Sequence, residues 1–536
     1  MDTTHVSPPT SAATSNSTAQ SAATGNDSAV ASQLETELKF SATPALLRKL
    51  AKCGPVKRAA HGKAVNRELS STYFDTRQHR LRKAGAALRI RRSGDRLEQT
   101  LKLPGDGPAG MQNFEEFNIA VADDRPNLGR FGAAVVRQLP GNHRQLKLRP
   151  IFTTEVHRVT RELAHGGARF EMALDEGRLV SHNAKPRTMP IGEVEFELLE
   201  GDATDMLDFI LGLCDKFDLQ PFHLTKAQRG YALARPALRP RRAKAAKVEL
   251  DARMSVGQAF ERIAGEGLRQ LQCNLQPALE AQPGGIHQGR VAMRRIRAAL
   301  RAFKAVLPYD KRKAFNGEFR WFQSRLAPAR DWHVFLSETL PQIQRHSGAD
   351  DIAPDRLHKL ALKERRRATA EAREVLQSRR FARLVLQFQR WLLSLETEHR
   401  ELFDMPVQPF AADVLDKTRR DLLEDPRPLS RMSEEDRHGL RKRGKKARYA
   451  MEFFAPLWEG PGVKPYLNLT EAIQDHLGAA NDAVVARVLL ASLPPRALDR
   501  SGQWLVQDWS QARELECIRA GQPVWRRMQR AEPFWR

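Results

Sequence analysis

The chain has 536 residues, 41% of them apolar, enough to build cores and to exclude wholesale disorder. Lys and Arg number 88 against 64 Asp and Glu, a formal charge of +24 that favours a polyanionic partner: nucleic acid, an anionic membrane surface or a phosphate-rich small molecule. No run of 18 or more apolar residues occurs, so no transmembrane helix and no membrane partner are expected. Cys53, Cys214, Cys273 and Cys517 lie far apart, which argues against a zinc site or a disulfide framework. They read as thiols of a reducing compartment, here the cytoplasm.

At roughly 150 residues per domain the length predicts two to four domains. Residues 1–33 are rich in Ser, Thr, Ala, Asn and Pro and lack the basic and apolar segments of a secretory signal, so a disordered tail is expected. From Leu34 to Ala234 the pattern is β-like. Glu35, Glu37 and Lys39 share one strand face and Leu34, Leu38 and Phe40 the other; Leu88–Arg91 and Val194–Leu198 alternate in the same way. Gly and Pro clusters such as 104–108 separate strands, and helices are predicted near Pro44–Lys52 and Ala203–Phe217.

One such strand is ordinarily a half-exposed antiparallel strand. The set is more informative, because some strands carry acids (Glu35/Glu37, Glu171/Asp175, Glu193/Glu195/Glu197) and others bases (Arg89/Arg91, Lys102, Arg158). Curled into a barrel with apolar faces outward, they would line a lumen with both signs. That suits a metal–polyphosphate ligand: carboxylates hold Mg²⁺ or Mn²⁺, and Arg and Lys hold phosphate oxygens.

The same residues, in order, resemble the CYTH family of triphosphate tunnel metalloenzymes. Glu35-x-Glu37-x-Lys39 is similar to its ExExK motif, and Tyr73-Phe74-Asp75-Thr76, Leu88-Arg89-x-Arg91 and Thr100-Leu101-Lys102 follow as in that family. So do Glu171-x2-Leu174-Asp175-x-Gly177, Glu193-x-Glu195-x-Glu197 and Thr225-Lys226-Ala227-x-Arg229-Gly230-Tyr231. The resemblance covers residues 34–234 and implies an antiparallel eight-stranded tunnel with metal-dependent triphosphate hydrolysis. It implies Glu35, Glu37, Glu195 and Glu197 as metal ligands for Mg²⁺ or Mn²⁺, and Lys39, Arg89, Arg91, Lys102, Arg158 and Lys226 as phosphate contacts. Glu35, Glu37, Lys39 and Asp175 would be catalytic, with Glu115 and Glu193 completing the acidic side. Asn113 stands where relatives often carry Arg two residues before the mid-domain Glu, and Thr225 replaces Ser.

Residues 235–248 form a basic, Pro-containing linker. Beyond it, from 249 to 536, helical periodicity dominates, as in Ser255–Leu275, Ile286–Val306 and Asp355–Ser394. A repeat is embedded there. His287, Arg290, Arg294 and Arg297 are matched in spacing by His438, Arg441, Lys445 and Arg448, each set on one helix face. Forty-four residues separate His287 from Asp331, and 44 separate His438 from Asp482. A solvated face normally intersperses acids, whereas like-charge pairs such as Arg290/Arg294 call for an anion. No Cys or His stands at zinc spacing from either histidine.

These segments, with Ala329-Arg330-Asp331-Trp332 and Asn481-Asp482, resemble the CHAD domain. The resemblance implies a duplicated helical bundle with a basic centre that binds polyphosphate, contacted by the eight repeat residues. His333 stands where relatives carry a second Asp.

The fold class expected is therefore multidomain α+β: a β tunnel with flanking helices, then an all-α duplicated bundle. The function expected is hydrolysis of inorganic triphosphate (tripolyphosphate) in the tunnel, with polyphosphate bound by the bundle and association with polyphosphate granules. A non-enzymatic polyphosphate scaffold and an organic triphosphatase, for example on thiamine triphosphate, are the alternatives. Nucleic acid is not expected as a specific partner: no recognition module is apparent, and aromatics are 7%.

Overall fold

The computed structural model describes residues 32–107, 109–139, 146–282, 284–346, 353–398, 400–493 and 500–536. The expected tail, except for Ser32 and Gln33, lies outside the described residues; those two already belong to the first strand.

Eight long antiparallel strands close on themselves. They are β1 (Ser32–Ser41), β2 (Val65–Asp75), β3 (Ala87–Ser93), β4 (Arg96–Pro104), β5 (Gln112–Val121), β6 (Arg149–His165), β7 (Ala168–Ser181) and β8 (Thr188–Glu200). The order around the barrel is β1-β5-β4-β3-β2-β6-β7-β8, with β8 pairing back to β1. A two-residue β9 (Gln220–Pro221) extends the end of β1.

Strand alternation divides the residues as the pattern demands. On β1, Leu38 and Phe40 turn outward into a core under α1 (Pro44–Lys52) and α2 (Ala203–Cys214), where Phe170, Phe196, Phe209 and Ile210 meet them. Each such fully buried side chain contributes about 1.5–3 kcal/mol. Leu34, on the same face, escapes that cover and is 51% exposed.

The helix α3 (Lys226–Ala234) packs Tyr231 against Phe152, which stacks on Tyr73 at 4.5 Å. Gly230 permits this approach: a Cβ there would stand 2.2 Å from the Phe152 ring. Thr225, the Ser replacement, caps α3 by accepting from Gln228 N at 3.1 Å while Gln228 Oε1 accepts from Thr225 N, so the hydroxyl keeps its use.

The second half is helical. The helices that matter below are α4 (Val256–Leu279), α5 (Gly285–Ala302), α6 (Ala327–Val334), α7 (Arg379–Glu398), α8 (Glu434–Phe454) and α9 (Val463–Ala491). The helical periodicity over Asp355–Ser394 is carried by two helices, the second, α7, starting where the Ser378 hydroxyl accepts from Phe381 N.

The halves dock on each other. Arg390 grips Asp208 of α2 with two hydrogen bonds of 2.9 and 3.0 Å, Arg383 pairs with Asp215, and Leu386 enters the barrel's outer core. On the other side of the contact, Gln272 donates to the Gly110 carbonyl at 2.9 Å.

Candidate active site: a tunnel with an acid wall and a base wall

The barrel encloses a cavity of about 1050 Å³. Glu35, Glu37 and Lys39 of β1, Arg89 and Arg91 of β3, Lys102 of β4, Arg158 of β6, Glu171 of β7, Glu195 and Glu197 of β8 and Lys226 of α3 all line it. The expected tunnel residues are thus brought together, except Asp175, Glu115 and Glu193, which do not line it.

The charges are segregated. The adjacent strands β7, β8 and β1 supply Glu171, Glu195, Glu197, Glu35 and Glu37, and β2, β3 and β4 supply Arg67, Arg89, Arg91, Arg96 and Lys102; the exceptions are Glu98 of β4 and Glu116 of β5 on the basic side and Lys39 of β1 on the acidic side. Glu37 and Glu197 are register partners across β1–β8. The carboxyl of Glu197 is pushed up to about 7, first by burial and then by Glu37 and Glu116. That of Glu35 is pushed up to about 8, again first by burial, with Glu37 and Glu116 adding repulsion against the pull of Lys102. In the protein alone Glu197, and Glu35 despite its pairing with Lys102, are thus biased toward the neutral acid, a bias that a bound cation would reverse. Opposite them Arg91, with no ion-pair partner among the described residues, is pushed down to about 10 by burial and by Arg89 and Arg158.

Around Lys226 the charges cancel. Asp175, Glu193 and Glu195 form a buried acidic triad whose oxygens lie within 4.8 Å of one another. Arg158 donates to both Asp175 oxygens at 2.7 and 2.6 Å and to Glu195 at 2.5 Å. Lys226 pairs with Asp175 at 2.6 Å, with Glu195 at 2.9 Å and with Glu193, and Arg229 pairs with Glu193. Lys39 reaches Glu195 at 3.1 Å and Glu37 at 2.8 Å. Burial alone would raise Asp175, but Arg158 and Lys226 outweigh it and hold the carboxyl below the usual range. The triad therefore already has its cations. The cavity-lining carboxylates Glu35, Glu37 and Glu197 are further candidates for a hard divalent cation, although among the described residues only the triad has its oxygens that close together as it stands.

Three expectations need correction. Glu193, fully buried between Lys226 and Arg229, lies behind the cavity lining rather than in it. Asp175 is fully buried and does not reach the cavity, so it cannot touch substrate; it orients Arg158 and Lys226 instead. The acid of β5 in the tunnel is Glu116, not Glu115. Glu116 pairs with Lys102 at 2.6 Å and with Arg89 at 3.4 Å, and these cations, overcoming burial, hold it below the usual carboxylate range. The signal was present: Glu115 shares parity with the outward-facing Phe117, Ile119 and Val121, and Glu116 does not. Two residues before Glu116 is Phe114, whose ring lies 5.5 Å from Lys102 Nζ. Sequence reading also missed Arg269, which α4 contributes to the cavity from the helical half.

In the bundle, α5 and α8 pack together and bring the repeat faces to a common centre. Arg290, Arg294, Arg441 and Lys445 converge there with Arg330, Asp331 of α6 and Asp482 of α9. Lys445 is pushed down to about 7 by burial, then by Arg441 and Arg294. His287, half-buried, is pushed down to about 4 by burial and by Arg330, Arg294 and Arg290, so it is neutral. His438 is exposed beside Arg441 and Lys442. The outer repeat members are engaged elsewhere: Arg297 donates to Asn316 at 3.1 Å and Gln323 at 2.6 Å, and Arg448 pairs with Glu452 at 3.2 Å. Near His333, the acid available to Arg330 is Glu338, at 3.6 Å.

Comparison with known proteins agrees with this division. Residues 33–231 match the CYTH domain model and residues 262–491 the CHAD domain model. The inorganic triphosphatase of Haemophilus influenzae is 32% identical over 167 residues, 31% of this chain and 46% of that protein, so the chain spans about half the length of this curated relative. The crystal structure of the CHAD domain from Ricinus communis is 31% identical, covering 52% of this chain and 96% of that chain with a TM-score of 0.45. A Hippeastrum protein, whose structure is described as revealing a dominant triphosphatase activity, is 15% identical, covering 38% and 95% with a TM-score of 0.27. The chain carries a CYTH domain followed by a CHAD domain. No helix among the described residues is long and apolar enough to cross a membrane.

Proposed function

We propose that the tunnel hydrolyses inorganic triphosphate to diphosphate and phosphate with Mg²⁺ or Mn²⁺, and that the bundle binds polyphosphate. The observation that carries the reading is the segregation of charge. Glu197 has no ion-pair partner among the described residues on the acid-rich wall, where Glu35 and Glu37 share Lys102 and Lys39 with Glu116 and Glu195, while Arg91, Arg67 and Arg96 have no ion-pair partner among the described residues on the other. A cation-bearing phosphate chain satisfies both walls at once, and neither a bare cation nor a bare anion does.

Arg89, Arg91 and Lys102 would hold phosphate oxygens from the base wall and Arg158 and Lys226 from the floor, their guanidinium and ammonium groups oriented by Glu116, Asp175 and Glu193. Lys39, between Glu37 and Glu195, is placed where the two walls meet. Glu35, Glu37 and Glu197, with Glu195 beside them, would hold the divalent cation; when bound, it neutralises the phosphate chain and positions water for in-line attack on a terminal phosphorus. The bond broken is the terminal phosphoanhydride, with diphosphate leaving.

Release of phosphate from tripolyphosphate, measured with Mg²⁺ or Mn²⁺ for the unaltered chain and for Glu37→Gln, tests the reading. Cation-dependent release lost in the variant supports it. No release with either cation overturns the hydrolase and leaves a polyphosphate-binding scaffold. Preference for thiamine triphosphate in the same assay would move the substrate to the organic class.

A further inference from the structure

The segment joining the two halves has a specific place in the fold. Leu238 O accepts from Arg82 Nη2, a cavity-lining residue, at 2.8 Å, and Pro240 itself lines the tunnel cavity beside Arg269. Ala243 is held by Asn274 of α4 through two hydrogen bonds, 3.0 Å from its N and 2.8 Å from its O, and Ala246 N donates to Glu266 at 2.5 Å. Arg269 is steered by the same Glu266 at 2.6 and 2.8 Å.

Between these anchors, Arg242 lies over Gly284, the residue that opens α5. A Cβ on Gly284 would stand 2.6 Å from Arg242 Cδ and 2.9 Å from Nη1. His287, the first residue of the basic face, is close enough for Arg242 to depress its basicity. Arg239, Arg241 and Arg242 are exposed, with no ion-pair partner among the described residues. Pro240 at the tunnel and Arg242 at the bundle face are two peptide steps apart, at most about 7 Å. A linker that only tethered two independent domains would need neither these anchors nor an unpaired Arg242 at the bundle face.

We propose that the tunnel and the basic bundle face form one continuous track for a single linear inorganic polyphosphate chain, bridged by the Arg239–Arg242 segment and Arg269. This rests on the proposed function and deepens it. The bundle holds the body of the chain, and its end passes over Arg242 into the tunnel. Triphosphate is too short to use the bridge; a long chain uses all three parts.

Equilibrium binding of long-chain polyphosphate and of tripolyphosphate to the full chain, without divalent cation so that nothing is cleaved, tests the track. The expected result is one long chain bound in a single step. Its affinity should fall roughly tenfold in Arg242→Glu and also in the tunnel variant Arg91→Gln and the bundle variant Arg290→Gln, as loss of a charge-assisted phosphate contact on a shared ligand requires. Arg242→Lys should bind as the unaltered chain does, and tripolyphosphate affinity should be unchanged in Arg242→Glu. Two independent long-chain binding steps, Arg91→Gln removing only one of them, or an Arg242→Glu variant that binds the long chain normally would each overturn the proposal. Failure of cation-dependent triphosphate hydrolysis is read in a separate assay and strikes the hydrolase reading alone.

Discussion

Lys102 on β4 and Glu116 on β5 are register partners, and their charged ends meet inside the tunnel at 2.6 Å. Glu115, one residue away, is carried to the outer face by strand alternation. Lys102 also pairs with Glu35, so Glu116 helps fix the cation that holds the first acid of the opposite wall.

Exchange of the two neighbouring acids separates their roles. Glu116→Gln should lower kcat/KM for tripolyphosphate by roughly tenfold or more, because Lys102 and Arg89 lose a common anchor. Glu115→Gln should stay within about twofold. Steady-state phosphate release on both variants measures this, and equal losses would contradict the assignment.

Asp175 is expected to act through Arg158 and Lys226 rather than on substrate. Removing one partner of a buried ion network costs about 3–5 kcal/mol, so Asp175→Ala should lower the unfolding free energy by that order in a denaturant titration. Asp175→Asn keeps the shape and should fold; its defect should be mainly in KM, since misoriented cations bind phosphate poorly. A variant with normal KM and abolished kcat would place Asp175 in the chemistry instead.

Occupation of the acid wall by a cation relieves the repulsion among Glu35, Glu37 and Glu197. Mg²⁺ or Mn²⁺ should therefore raise the melting temperature of the unaltered chain, by mass action on the folded state. The rise should be lost in a Glu37→Gln/Glu197→Gln double variant. An undiminished rise would put the cation elsewhere, with the Asp175, Glu193 and Glu195 triad as the next candidate.

In the bundle centre, burial and the neighbouring Arg441, Arg294 and Arg448 push the Lys445 ammonium down to about 7, with Asp482 the acid nearby. A bound polyanion favours the charged ammonium and so raises its pKa. Binding therefore takes up a proton when the pH is near or above 7, and polyphosphate affinity should weaken as pH rises from 6 to about 8.5. Calorimetry in buffers of different ionisation enthalpy measures the uptake. Lys445→Arg, which stays charged, should flatten the pH dependence; an unchanged slope in that variant would assign the proton to another group.

Much of this molecule was legible in one dimension. Alternation along β1, β3 and β8 marked Glu35, Glu37, Arg89, Arg91, Glu195 and Glu197 for one face, and the matched spacing behind His287 and His438 marked the duplicated helices. Local periodicity is enough for that, since the face on which a side chain lies depends only on its own element. Local patterns did not reveal that Asp175 sits beneath the tunnel floor, that Arg297 and Arg448 turn to Asn316, Gln323 and Glu452, or that a second helix starts after Ser378.

The sequence by itself determined which residues are charged, on which face of which element they stand, and that the helical unit is doubled. Only the tertiary structure decided which charges neutralise one another, pairing Glu35 with Lys102 and Glu37 with Lys39 and leaving Glu197 and Arg91 without an ion-pair partner among the described residues. It also decided that the linker runs between the two basic sites rather than away from them. The reason is physical: ion pairing and burial depend on strand register, barrel closure and docking of α4 and α7 on the barrel. These bring together residues far apart in the chain, such as Lys226 and Glu195 or Arg390 and Asp208.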